Sequence, residues 1–181
     1  MATTLILYST VDGHTRKICS HLAQTLAAAG ESVAIRPIDE ADDAVLAAAG
    51  RIILGASIRY GHHRPNVRAF IDRHQALLEA RPSAFFSVNI VARKPEKRTA
   101  ETNPYVAKFL RTIRWQPRLV GVFAGRLDYP SYRPFDRFMI RLIMRITKGP
   151  TDPTTVIEYT DWAQVDDFAK TFLAIPPRPA A

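Results

Sequence analysis

Short uninterrupted apolar runs alternate along the chain with stretches whose apolar residues return every three or four positions. The runs are Leu5 to Tyr8, Val33 to Ile35, Ile52 to Leu54, Ala84 to Val88 and Leu119 to Ala124. Strands covered on both faces read this way, because neither side of the pleat meets water. The periodic stretches carry Ile18, Leu22, Leu26 and Ala29, then Val67, Phe70, Ile71, Leu77 and Leu78, then Val106, Phe109, Leu110 and Ile113, and last Trp162, Val165, Phe168, Phe172 and Leu173. Each is the buried stripe of an amphipathic helix. A weaker, alanine-rich helix is expected from Glu40 to Ala49. Strand and helix in alternation predict an α/β fold, a parallel sheet with helices on both faces.

Breaks in the pattern set the boundaries. Gly30 is placed to cap the first helix at its carboxyl end, and Pro65, Pro82, Pro104 and Pro117 mark element edges by denying a backbone donor. Residues 126–160 intervene between the fifth run and the last helix, longer than an ordinary connection and with a helix of their own. A single domain is expected over residues 1–175, with an insertion at 126–160 and a flexible tail at 176–181.

Twenty-five Lys and Arg against seventeen Asp and Glu give a net charge of +8, which favours anionic partners such as phosphates, carboxylates, nucleic acid or anionic lipid. Cys19 is the only cysteine, so an intrachain disulfide and a thiolate zinc site are excluded. No basic leader precedes the first strand and no apolar run reaches about 18 residues, so the expected compartment is the cytoplasm.

Candidate chemistry begins where the first strand meets the first helix, at Ser9, Thr10, Val11, Asp12, Gly13, His14 and Thr15. A helix N-terminus offers unpaired N–H groups and partial positive charge, which together hold a phosphate. Thr10 or Asp12 acting only as a helix cap is the competing explanation. Neither the nucleoside triphosphate motif GxxxxGK[ST] nor the dinucleotide motif GxGxxG occurs here. His62 and His63 have no cysteine or carboxylate at ligand spacing, so no metal is expected.

The insertion carries a second signal. Between Arg133 and Lys148, the cations Arg137, Arg141, Arg145 and Lys148 fall on one helical stripe, amid residues that are nearly all apolar. Such a helix suits an anionic membrane interface, and Arg137, Phe138, Arg141, Leu142, Met144 and Arg145 are the contacts expected. A helix packed on the core with an arginine stripe to solvent is the alternative.

The hydroxyl-rich loop with a glycine before the helix resembles the phosphate loop of the flavodoxin superfamily, with Asp12 at one hydroxyl position. The resemblance implies a five-stranded sheet in the order 2-1-3-4-5 and FMN at the carboxyl ends of the strands. The flavin ring would lie between Ala56, Ser57, Ile58, Arg59, Tyr60 and Gly61 after the third strand and Ser87, Val88 and Asn89 after the fourth. Tyr60 is its expected stacking partner. The second loop has no aromatic, which would leave one side of the flavin open. Electron-carrier flavodoxins are typically acidic, whereas this chain is basic.

Four separated blocks sharpen the match. Gly55 to His62, Ser83 to Asn89 with Val91 to Thr99, Tyr132 and Arg133 with Asp136 to Ile140, and Tyr159 to Trp162 resemble the menaquinone-dependent protoporphyrinogen IX dehydrogenase family nearly end to end. That resemblance implies FMN-dependent oxidation of protoporphyrinogen IX in haem biosynthesis, with menaquinone or ubiquinone as acceptor, at the inner face of the cytoplasmic membrane. Arg59, Arg93, Lys94, Arg126 and Arg133 are then expected to meet the substrate propionates. No side chain is assigned as catalytic base, although Tyr60, His62 and His63 are placed to handle protons. A nucleic-acid partner is not expected, and the oligomeric state is left open. An NAD(P)H:quinone reductase and a non-enzymatic FMN electron carrier are the alternatives.

Overall fold

The computed structural model describes residues 3–176. Its strands are β1 (Thr3–Ser9), β2 (Val33–Pro37), β3 (Ala49–Arg59), β4 (His62–His63), β5 (Ser83–Asn89), β6 (Leu119–Ala124), β7 (Arg126–Asp128) and β8 (Val156–Glu158). Its helices are α1 (His14–Ala28), α2 (Asp43–Ala48), α3 (Pro65–Arg73), α4 (Gln75–Ala80), α5 (Pro104–Thr112), α6 (Pro134–Ile146) and α7 (Trp162–Leu173). Five strands pair in parallel in the order β2-β1-β3-β5-β6, the flavodoxin-like order.

Successive side chains of a strand point to opposite faces, and that alternation divides the core in two. Leu5, Leu7, Ile52, Leu54 and Phe85 face α2, α3, α4 and α5. Ile6, Ile53, Ala84 and Phe86 face α1 and α7. The strands lie close enough that a Cβ on Gly55 would stand 2.2 Å from the Phe86 ring. Only a glycine fits there.

Several elements differ from the sequence pattern for identifiable reasons. The helix expected at Glu40 to Ala49 shrinks to α2, because Glu40 ends a 3-10 turn, Asp42 caps the helix by accepting from Val45 N–H, and Ala49 already belongs to β3. The stripe from Val67 to Leu78 is shared by α3 and α4, which meet at His74. The stretch after the third strand is a hairpin rather than an open loop. Ile58 and Arg59 pair with His63 and His62, and the two turn residues, Tyr60 and Gly61, have φ of 53° and 81°. Two positive φ angles are what a two-residue type I′ turn requires.

The insertion has a small core of its own. β7 and β8 pair antiparallel, and α6 between them buries Met144 against Leu127, Tyr129 and Tyr132. Among the described residues, no helix is long and apolar enough to cross a membrane. Of the tail expected to be flexible, positions 177–181 lie outside the described residues.

Candidate functional site

The ends of β1, β3, β5 and β6 surround a cleft of about 400 Å³. The β1–α1 turn forms its first wall, through Thr10, Asp12, Gly13, His14, Thr15 and Lys17. Gly13 adopts φ 83° as the helix N-cap and gives its N–H to Thr10 Oγ1 at 3.0 Å. No side chain caps α1, so neither Thr10 nor Asp12 is the helix cap considered from sequence. The first-turn N–H groups have no partners within the helix. Thr15 Oγ1 is fully buried and also lacks a partner.

His14 is held from outside the turn. Thr160 donates its hydroxyl to Ala124 O at 2.8 Å, so the 2.6 Å contact between His14 and Thr160 requires His14 Nε2 to be the donor. Burial lowers the pKa of His14 below its ordinary value, with Glu158 opposing and Lys17 and Arg126 assisting. The residues expected beside these divide. Ser9 is buried and bonded to Asn66, while Val11 is exposed, and neither borders the cleft.

The hairpin after β3 forms the second wall, with Ser57, Ile58, Arg59, Tyr60 and Gly61. Ser57 Oγ and Arg59 Nη1 are buried without partners. Ala56 lies in the core instead. His62 is exposed at the hairpin and His63 turns away from the cleft, packing its ring 4.4 Å from that of Phe109 and 5.5 Å from that of Phe85. Desolvation, with a smaller push from His62, lowers the His63 pKa to about 3. A neutral ring in an aromatic pocket anchors the hairpin, and of the three candidates for proton handling only Tyr60 borders the cleft.

Val88 and Asn89 supply the third wall, while Ser87 faces His63 at 3.0 Å. Asn89 Oδ1 accepts from Ala92 N–H and from Asn103 Nδ2, each at 3.0 Å. Asn103 is fully buried and caps α5 through Val106 N–H. Sequence reasoning passed over Asn103, although an Asn immediately before Pro at a helix start is a readable cap. Tyr105, from the first turn of α5, also reaches the cleft.

The insertion adds residues to the same cleft. Tyr132, Ile140 and Ile143 border the cleft together with Arg126 of β7. Of the five cations expected to meet substrate, Arg59 and Arg126 stand there. Arg93 is occupied elsewhere, donating to Ile90 O and to the carbonyl and hydroxyl of Thr147. Lys94 and Arg133 lie off the cleft. Lys17 was missed, although it sits one turn into α1 and borders the cleft.

The membrane contacts expected on α6 also divide. Met144 is fully buried, so it cannot touch a bilayer. Arg137 donates to the carbonyls of Tyr129, Pro130 and Tyr132, and Arg141 to that of Thr151. Arg145 is free to solvent, beside a continuous apolar stripe. That stripe consists of Phe135, Phe138, Leu142 and Ile146, which are 68, 65, 44 and 73% exposed.

The family model described as a flavodoxin domain matches residues 5–154. Protoporphyrinogen IX dehydrogenase (quinone) of Escherichia coli strain K12 is 46% identical over 97% of both chains. The protein of the same name from Leishmania major is 49% identical over 98% of this chain and 79% of its own. Among solved structures, oxidised flavodoxin 1 from Bacillus cereus superposes with a TM-score of 0.57 at 16% identity, covering 95% of this chain and 97% of that one. Two-electron reduced flavodoxin from Megasphaera elsdenii gives 0.54 at 12% identity, covering 93% and 99%. The two flavodoxins share the fold. Identity near one half along almost the whole chain means more: the chain belongs to the flavodoxin-domain family, in the branch formed by the protoporphyrinogen IX dehydrogenases.

Proposed function

We propose that the chain is an FMN-dependent protoporphyrinogen IX dehydrogenase of haem biosynthesis that delivers electrons to a membrane quinone, menaquinone or ubiquinone. One observation carries the reading. Thr15 Oγ1, Ser57 Oγ and Arg59 Nη1 are buried polar atoms without protein partners, and all three border one cleft at the carboxyl ends of the strands. Buried polar groups are normally satisfied, so such a set implies a polar ligand.

FMN fits this donor set. Its phosphate would be held by the N–H groups opening α1 with the hydroxyls of Thr10 and Thr15, and its ring by Ser57, Ile58, Tyr60 and Gly61 with Val88 and Asn89. When bound, FMN supplies a two-electron acceptor that a quinone can reoxidise. The remaining tasks fall to side chains. Lys17 and Arg126 are exposed enough to exchange partners, and they offer cations to substrate carboxylates. Tyr132, Ile140 and Ile143 present apolar surface to a macrocycle and exclude water. Desolvation and the Asp136 carboxylate hold the Tyr60 phenol protonated beyond its ordinary range, so Tyr60 serves as a donor rather than a base. The outer stripe of α6, with Arg145 beside it, brings the cleft to an anionic membrane where quinone resides.

The test is anaerobic mixing of FMN-loaded protein with protoporphyrinogen IX and a quinone. Porphyrin fluorescence should rise with three quinols formed per porphyrin. Rapid bleaching of the flavin by NADPH, with protoporphyrinogen inert, would replace this reading with a quinone reductase.

A further inference from the structure

Asp12 is an unexpected residue for a phosphate-binding turn. It places a carboxylate beside the N–H groups that receive a dianion, at a position where the superfamily loop has a hydroxyl. The structure gives this carboxylate one cation. Arg59 Nη2 donates to both oxygens of Asp12, at 2.5 and 2.6 Å. The guanidinium lies near two aromatic rings, with its carbon 5.9 Å from the Tyr60 ring and 5.6 Å from the Tyr132 ring. Its side chain is largely buried, whereas Asp12 is half exposed.

The other cations of the cleft rest on acidic partners of their own. Lys17 pairs with Glu158 at 2.6 Å and Arg126 with Asp128 at 2.8 Å. Asp136, the second carboxylate near Arg59, stands 4.0 Å from Nη1, too far to satisfy that buried N–H. Arg59 is therefore the only counter-ion within reach of Asp12 among the described residues, and it retains one unpaired donor bordering the cleft.

We propose that Arg59 is the charge compensator that allows a carboxylate to sit in the phosphate turn, and that the Asp12–Arg59 pair sets the preference for a phosphorylated flavin over an unphosphorylated one. This rests on the FMN reading above, and it assigns Arg59 to the cofactor phosphate rather than to substrate propionates. Without Arg59, the Asp12 charge repels the incoming dianion. Without both residues, neither the repulsion nor the need for a counter-ion remains. Riboflavin, which lacks the phosphate, is indifferent to either change.

The experiment measures dissociation constants for FMN and riboflavin by quenching of flavin fluorescence, for the full-length chain and its variants. Arg59→Gln should weaken FMN by about tenfold with riboflavin unchanged, the scale of one partly exposed charge pair. Arg59→Lys, which keeps the cation, should lose far less. Asp12→Asn should bind FMN at least as tightly as the unaltered chain, and Asp12→Asn combined with Arg59→Gln should recover most of the loss. Equal weakening of FMN and riboflavin by Arg59→Gln, or no recovery in the double variant, would overturn the proposal while leaving the cofactor reading intact. Failure of the unaltered chain to bind FMN would overturn both.

Discussion

The phenol of Tyr60 donates to the carboxylate of Asp136, which joins the hairpin after β3 to the first turn of α6 beside the cleft. The Phe135 ring meets Tyr60 edge-on at 6.4 Å and reinforces the junction. Hydrogen bonds to a charged acceptor are among the stronger ones, though partial exposure weakens this one. Asp136→Ala should therefore speed the release of bound FMN about threefold to tenfold, for a loss of roughly 1 kcal/mol. Hydrogen exchange over residues 134–146 should quicken in the same variant. Unaltered exchange there would mean that the contact does not hold the insertion.

His63 gives the fold a pH dependence whose sign is fixed. Its folded pKa of about 3 lies below the ordinary histidine value of 6.5, so the unfolded chain binds more protons under mildly acidic conditions. The contribution of His63 is complete above pH 6.5 and is lost progressively as pH falls towards 3. Between pH 7 and 5 the loss is roughly 2 kcal/mol. His63→Gln should flatten the stability profile over that interval by about this amount, as read by urea unfolding at each pH. An unchanged slope would show that the ring is not held neutral by its aromatic pocket.

Asn103 connects three backbone segments from one buried side chain. It caps α5 through Val106 N–H and donates to Asn89 Oδ1 and Lys97 O. Asn103→Ala should cost roughly 2 to 3 kcal/mol in unfolding free energy, because Val106 and Asn89, two of the partners it leaves, are buried. The FMN dissociation constant should also rise, since Asn89 borders the cleft and loses its anchor. Lost stability with unchanged FMN affinity would separate the two roles.

The five parallel strands were legible because doubly covered strands are continuous apolar runs, and the order then followed from the phosphate-turn resemblance. The turn itself was legible from Gly13 and its hydroxyls. What escaped depends on contacts distant in sequence. Nothing local marks His63 as an aromatic-pocket residue, since Phe85 and Phe109 reach it only through tertiary packing. Arg93 and Arg126 read alike as loop arginines, yet one is consumed by the end of α6 and the other borders the cleft. Helical periodicity correctly grouped Arg137, Arg141 and Arg145 but could not show which of them spend their donors on carbonyls. The side of α6 that faces inward is fixed by Met144 meeting Leu127, Tyr129 and Tyr132, which lie outside the helix.

That orientation yields a membrane prediction different from one based on the arginine stripe. Phe135, Phe138, Leu142 and Ile146 are the exposed apolar residues of α6, and burying one phenylalanine in an interface contributes on the order of 1.5 to 3 kcal/mol. Phe138→Glu should weaken binding to anionic phospholipid vesicles about tenfold or more while leaving the thermal midpoint nearly unchanged, because that side chain packs on little. Arg145→Glu should weaken binding mainly at low salt, as expected for an exposed charge. Arg137→Glu should act differently, lowering the thermal midpoint because its guanidinium holds the carbonyls of Tyr129 and Tyr132. Co-sedimentation with vesicles, paired with thermal unfolding of each variant, separates these effects. Undiminished sedimentation of Phe138→Glu would remove the outer face of α6 as the membrane contact.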